Sequence, residues 1–145
     1  MSTTTRITLR PGERIFINGA VLQSDGRSSF DILNDVPYLR EHEIMHAQQT
    51  VTPLRQLYYI LQTMVMEPGG IELARGIYTD TMTFLSFTFS NTAVLAGLET
   101  IREQVARGAP LDGLRTLQTL IPIEDTILGR QSQGTGELKV VGAAS

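Results

Sequence analysis

The 145-residue sequence contains no cysteine, which excludes disulfides, thiolate nucleophiles and cysteine-based zinc sites and suits a reducing compartment. No apolar run approaches the ~20 residues that a membrane-spanning helix needs. Met1 to Thr5 is polar with no hydrophobic stretch behind it, so no secretory signal is expected and the chain is assigned to the cytoplasm. Glycine-rich phosphate cradles are missing too: neither a P-loop nor a dinucleotide fingerprint occurs. No internal repeat, catalytic serine or paired-carboxylate constellation stands out, so neither a cofactor nor an enzymatic activity is expected.

Positive charge is also in short supply. Twelve Lys and Arg against fifteen Asp and Glu give a net charge of -3. That balance argues against indiscriminate coating of nucleic acid, which draws its affinity from many cations releasing counterions. Selective binding through a few arginines stays open. The charge is unevenly placed: up to Met66 six Arg balance six acidic residues, and the remainder carries the negative balance. A nucleic acid would therefore meet the N-terminal half. With 41% hydrophobic residues, the length suits one domain with a real core.

What is present begins with turns. Arg6 to Arg10 alternates polar and apolar residues, and Pro11-Gly12 then couples a fixed φ to a residue free to take positive φ. Arg14 to Ile17 alternates again before Asn18-Gly19, the dipeptide best suited to a type I′ hairpin. Ala20 to Gln23 runs into Asp25-Gly26, a second such signal, and Phe30 to Leu33 follows as a fourth strand. From Val51 the period changes from about 2 to about 3.6. Thr52 and Pro53 open a helix whose apolar face is Leu54, Leu57, Tyr58, Leu61, Met64 and Val65. Pro68-Gly69-Gly70 stops it, and a second stripe follows through Ile71, Ala74, Ile77, Tyr78 and Leu85. Thr83 to Phe89 suits a strand by composition, but the stripe favours helix. Ser90 or Asn91 caps a third helix that ends at Gly108, and Pro110 opens a fourth, in which Pro122 is expected to kink or break the helix. Glu124-Asp125 reads as a solvated helix face. The expectation is an α+β fold: an N-terminal antiparallel β-meander of four or more strands (residues 6–46), a C-terminal bundle of about four helices (51–128) and a disordered tail (129–145).

Two patterns carry chemistry. Along the first strand Arg6, Thr8 and Arg10 share one face, and along the second Arg14, Phe16 and Asn18 do. Guanidinium groups pair with phosphate and stack on bases, and an adjacent aromatic offers a π-face, so these residues together with Arg40 suit single-stranded RNA. Phe16 is equally suited to the core, with Ile15 and Ile17 outward or in a second interface, and Arg40 to a structural ion pair. The second pattern, His42-Glu43-Ile44-Met45-His46, matches the H-E-x-x-H of zinc hydrolases, where two imidazoles one helical turn apart bind metal and the glutamate activates water. A third ligand would have to be a carboxylate such as Glu67 or Glu72, neither with a supporting pattern. The pentapeptide lies in a short polar segment after the sheet, so His42 and His46 are read as capping or packing residues and no metal is expected. Tyr58, Tyr59, Met64 and Met66 are read as core or interface.

The run Leu-x-Pro-Gly-Glu-Arg-Ile-x-Ile-Asn-Gly-Ala-Val from Leu9 to Val21, then Leu39-Arg40-Glu41 and Glu43-Ile44-Met45, resembles the FlbT family of flagellar regulators. Thr52-Pro53-x-Arg55-x-x-Tyr58-Tyr59, Leu61-Gln62, Glu67-Pro68 and the leucine-rich stretch from Leu114 to Glu124 extend the resemblance to about Leu128. It implies a bacterial post-transcriptional regulator of flagellum biogenesis that binds the leader of flagellin messenger RNA and alters its translation or decay, with the sign of regulation left open. It also implies contact with flagellin or an assembly partner; the alternative function is a flagellin-binding chaperone or assembly sensor, in which the apolar helix faces hold an amphipathic flagellin helix in a groove. Ile7-Thr8-x-Arg10-x-Gly12-Glu13 and Arg40-Glu41 are similar, in addition, to the two RNA-contacting edges of the CsrA family, although Leu9 stands where that family has a second arginine and Leu39 where it has a histidine. By that analogy a homodimer with a shared sheet is expected.

Overall fold

A computed structural model describes residues 4–130. Within them five strands precede four helices: β1 (Thr5–Leu9), β2 (Arg14–Ile17), β3 (Ala20–Gln23), β4 (Ser28–Ile32), β5 (Tyr38–Arg40), α1 (Pro53–Met66), α2 (Gly70–Thr88), α3 (Thr92–Ala106) and α4 (Pro110–Leu128). The α+β class and the antiparallel pairing agree with the sequence reading. The order of neighbours does not, because the strands form no single meander. β1 pairs with β4 in a two-stranded ribbon, while β2 lies between β3 and β5 in a separate sheet.

Burial on both faces of β2 explains the departure. Ile15 and Ile17 turn to the ribbon and cluster with Ile7, Leu9 and Ile32, whereas Phe16 and Leu39 turn the other way onto the helical core. A strand that is apolar on both sides is a middle layer, so the chain stacks as ribbon, sheet and helices. Asn18 and Gly19 both take positive φ, 48° and 91°, and close the β2–β3 hairpin as expected. The other two turn signals serve as crossings between layers. Ser24 exchanges main-chain bonds of 2.9 Å with Gly12 and Glu13, and its hydroxyl bonds the Gly26 carbonyl and the Ser28 hydroxyl. The Asp25-Gly26 corner is thereby turned toward the ribbon, away from a hairpin.

Helix boundaries follow local chemistry. Thr52 Oγ1 accepts from the Arg55 amide at 3.2 Å and Pro53 occupies the first turn, while Asn91 Oδ1 accepts from the Val94 amide at 3.0 Å. Residues Thr83 to Thr88 are helical, with Phe89 as the C-cap. Met82, Leu85 and Phe89 recur at helical spacing and are buried, and the hydroxyls of Thr83, Ser86 and Thr88 bond the carbonyls four residues back. The α1–α2 corner needs glycine, since a Cβ on Gly70 would lie 2.2 Å from the Thr63 carbonyl oxygen. Of the kink or break expected at Pro122, the break does not occur: α4 runs from Pro110 to Leu128 with Pro122 inside it, and ends at Gly129 with φ 74°. The tail expected beyond it lies, from residue 131, outside the described residues. No helix among those described is long and apolar enough to cross a membrane.

The largest correction concerns Glu124 and Asp125, expected on a solvated face and found buried. Asp125 accepts two bonds from the Arg55 guanidinium, at 2.7 and 3.0 Å. Glu124 accepts from the Thr52 hydroxyl at 2.6 Å and from the Leu54 amide at 2.8 Å. The end of α4 thus caps the start of α1 with two carboxylates, where free amides and the helix dipole favour negative charge. Breaking one partner leaves a buried charge unpaired, so Arg55→Met is expected to lower unfolding free energy by about 3–5 kcal/mol. In urea titrations Arg55→Met/Asp125→Leu should lose less than the two single losses added together; strict additivity would show that the pair is not coupled.

Candidate nucleic-acid interface

The register of the ribbon places Arg6 opposite Asp31, Thr8 opposite Ser29 and Leu9 opposite Ser28. Ile7 and Leu9 are buried beneath it, so Arg6 and Thr8 share the outer face of β1 as alternation predicts, and Arg10 follows, exposed, just past its end. Their surroundings differ. Arg6 is held by both oxygens of Asp31, a hydrogen-bonded pairing that raises the guanidinium pKa and holds the carboxyl below its usual range. Thr8 shares a 3.0 Å hydrogen bond with Ser29. Arg10, by contrast, is 83% exposed and only 3.9 Å from Glu13, and Arg14 is 52% exposed and 4.0 Å from Glu41. Ion pairs this long and this exposed contribute little.

Arg10 and the Pro11-Gly12 turn line an open cleft of about 610 Å³ with Glu13, Glu41 and His42, and the Arg14 amide donates to Glu41 at its rim. Because Leu9 is paired with Ser28, Arg27, in the bend just before β4, follows on the end of the ribbon where Arg10 leaves it. Arg27 is exposed and takes part in no ion pair among the described residues. Sequence reading passed it over because it stands alone in a turn, and only strand pairing brings it to the same end of the ribbon as Arg10.

Phe16 and Arg40 lie elsewhere. Phe16 is half-buried against the helical core. Arg40 reaches across the layers, donating to the Thr8 carbonyl at 2.7 Å and to Glu13 at 3.3 Å. Of the two roles open to it in the sequence, the structure supplies the ion pair. The other Glu13 oxygen accepts from the Arg10 amide at 2.9 Å. That bond, then Arg40, hold the Glu13 carboxyl below the usual glutamate range.

The H-E-x-x-H segment forms no continuous helix. His42 sits within the 3₁₀ turn Glu41–Glu43, and His46 precedes another, Ala47–Gln49. Glu43 points inward, where it accepts from the Arg40 amide at 2.9 Å, from Gln118 at 3.0 Å and from Arg115. Among the described residues no group of three His, Asp or Glu side chains gathers as metal ligands. Tyr58 donates to the Glu43 carbonyl at 2.7 Å and accepts from Gln118 at 3.1 Å, and burial pushes its hydroxyl pKa up. Arg115 lies over the Tyr38 ring at 5.4 Å, and the Gln62 amide brackets the Met45 main chain at 2.8 and 2.9 Å. These bonds fasten the segment that follows β5 to α1 and α4. Their partners lie far apart in sequence, so no local motif announces them.

Because the folded-state pKa of Glu13 is depressed, its contribution is complete at neutral pH and is lost as pH falls through that lowered value. Glu13→Gln should therefore be less stable than the parent at pH 7, with the gap in denaturation midpoint closing as pH drops below ~4. A gap that stays constant down to acid pH would remove Glu13 as the source.

The chain matches the family model described as flagellar protein FlbT over residues 5–128. It is 40% identical over 144 residues to the probable flagellum biosynthesis repressor protein FlbT of Chelativorans sp. (strain BNC1), covering 98% of this chain and 99% of that one. The like-named protein of Allorhizobium ampelinum is 38% identical over 141 residues, 97% of this chain and 95% of its own. That of Rhizobium etli (strain CFN 42) is 40% identical over 131 residues, 90% and 88%. No solved structure matches. A family model spanning the ribbon, the sheet and all four helices, with near full-length relatives, leaves one assignment: the chain belongs to the FlbT family of flagellar proteins.

Proposed function

We propose that this protein represses flagellum biosynthesis after transcription, by binding the leader of a flagellin messenger RNA at the end of the β layers and altering its translation or decay. Repression is the role printed in the names of its curated relatives. The observation that carries the RNA reading is the contrast among arginines. Arg6 and Arg40 are engaged, whereas Arg10 and Arg14 stand loosely paired beside one open cleft, with Arg27 exposed nearby. Each loosely held guanidinium can exchange its distant carboxylate for a phosphate without stranding a buried charge. The Pro11-Gly12 turn lines the cleft, and Arg40 holds Glu13 and the Thr8 carbonyl behind it. Three cations make a small electrostatic footprint, consistent with the negative net charge, so affinity would rest on a short segment of unpaired RNA.

Fluorescence anisotropy against a flagellin messenger leader and a length-matched unrelated RNA, over a salt series, tests this. Arg10→Ala and Arg14→Ala are each expected to weaken leader binding and to reduce the slope of log affinity against log salt by about 0.7–1. Arg27→Ala should act in the same direction, and Arg6→Ala should change the slope little. Unchanged slope and affinity in Arg10→Ala/Arg14→Ala would sink the assignment.

A further inference from the structure

α2 has two apolar sides, and only one is covered. Ala74, Met82 and Leu85 are buried in the helical core. Leu73, Ile77, Phe84 and Phe87, at i, i+4, i+11 and i+14, are 75%, 58%, 57% and 87% exposed. That spacing draws one stripe along the helix, about 21 Å long at 1.5 Å per residue. Single exposed apolar residues are ordinary, but four in a row on one face are not. With aromatics contributing ~150–250 Å² each when buried, the stripe offers on the order of 500 Å².

We propose that this face is covered by a second copy of the same chain, with the two α2 helices packed antiparallel about a two-fold axis at Asp80. The spacing is its own complement. Leu73 and Phe87 each stand seven residues from Asp80, with Ile77 three before and Phe84 four after. The two-fold rotation therefore sets Leu73 against Phe87 of the other copy and Ile77 against Phe84, an isologous contact. Two such stripes bury about 1,000 Å², the lower bound for a specific interface. Gly76 lies on the same side, and a Cβ built there would meet nothing within 4 Å, so the helices can approach closely.

Asp80 decides between a second copy and a foreign helix. It is exposed and in no ion pair among the described residues. At the axis two Asp80 carboxylates face each other, which weakens the dimer and makes it respond to charge removal. A partner helix bearing a cation would depend on Asp80 instead. The two occupants thus predict opposite signs for one substitution.

Sedimentation equilibrium of the full chain over a concentration series reads this out. A monomer–dimer equilibrium is expected. Phe84→Glu should raise the dissociation constant by at least ~30-fold, the loss typical of a central apolar anchor, and Phe87→Glu, at the end of the stripe, by a smaller factor. Asp80→Asn should tighten the dimer several-fold. Both phenylalanines are exposed, so unchanged circular dichroism is expected and serves as the folding control. A monomer at every concentration would overturn the proposal, as would a dimer insensitive to both phenylalanine variants. So would a dimer dissociated instead by Val21→Lys on the open edge of β3, or weakened by Asp80→Asn. Association of a monomeric chain with purified flagellin, lost in Phe87→Glu, would give the stripe to a different partner.

Discussion

A guanidinium buried between two carboxylates sets the terms for the helical part. Arg55, Glu124 and Asp125 are nearly inaccessible, and none of the three can be stranded without a penalty several times that of losing an ordinary helix cap, about 3–5 against about 1 kcal/mol. The cluster fixes more than charge balance. Because Glu124 bonds the Leu54 amide and the Thr52 hydroxyl, the last turns of α4 have one allowed position against the first turn of α1. The leucines between the two helices then pack in one register, and α2 and α3 build out from that pair.

Beside the packing of Phe16 and Leu39 on the helical core, the β layers are tied to this pair by a run of polar contacts. Glu43 leaves the last strand, meets Arg115 and Gln118 of α4, and lies under the Tyr58 hydroxyl of α1. Gln62 holds the following segment by its main chain. Arg40 sits one step upstream and binds the ribbon through Thr8 and Glu13. Helices, sheet and ribbon are thereby connected through a short run of residues, and the cleft with the loosely held arginines lies where that run begins. The loosely paired arginines thus sit beside a firmly bonded segment.

Features written in neighbouring residues were legible in the sequence. Asn18-Gly19 specifies its hairpin because the required positive φ values belong to those two residues alone, and Thr52-Pro53 specifies a helix start for the same local reason. Alternation placed Arg6 and Thr8 on a common face. Strand neighbours were not legible, since the β1–β4 pairing goes with a β2 buried on both sides, and alternation says nothing about which sheet a strand joins. Arg27 could not be assigned to the cationic end without that pairing. Glu124-Asp125 was misread because two acidic residues on a helix are usually solvated, and the cation that reverses the argument stands about 70 residues upstream. The H-E-x-x-H match failed for the converse reason. The letters are local, but the helix that would give them meaning is absent, and Glu43 is engaged by α4.

The cap that α4 places on α1 also has a consequence for the order in which the chain can become stable. As synthesis proceeds from the N-terminus, the whole of α1 leaves the ribosome long before Glu124 and Asp125 are made, so Arg55 must wait in water. The first helix cannot bury its own entrance until the last one arrives, and closing a loop of that length adds an entropic cost that only the finished core offsets. Nascent chains that end before Glu124 therefore carry Arg55 without either of its carboxylates, and the start of α1 stays unsecured until the end of α4 is made.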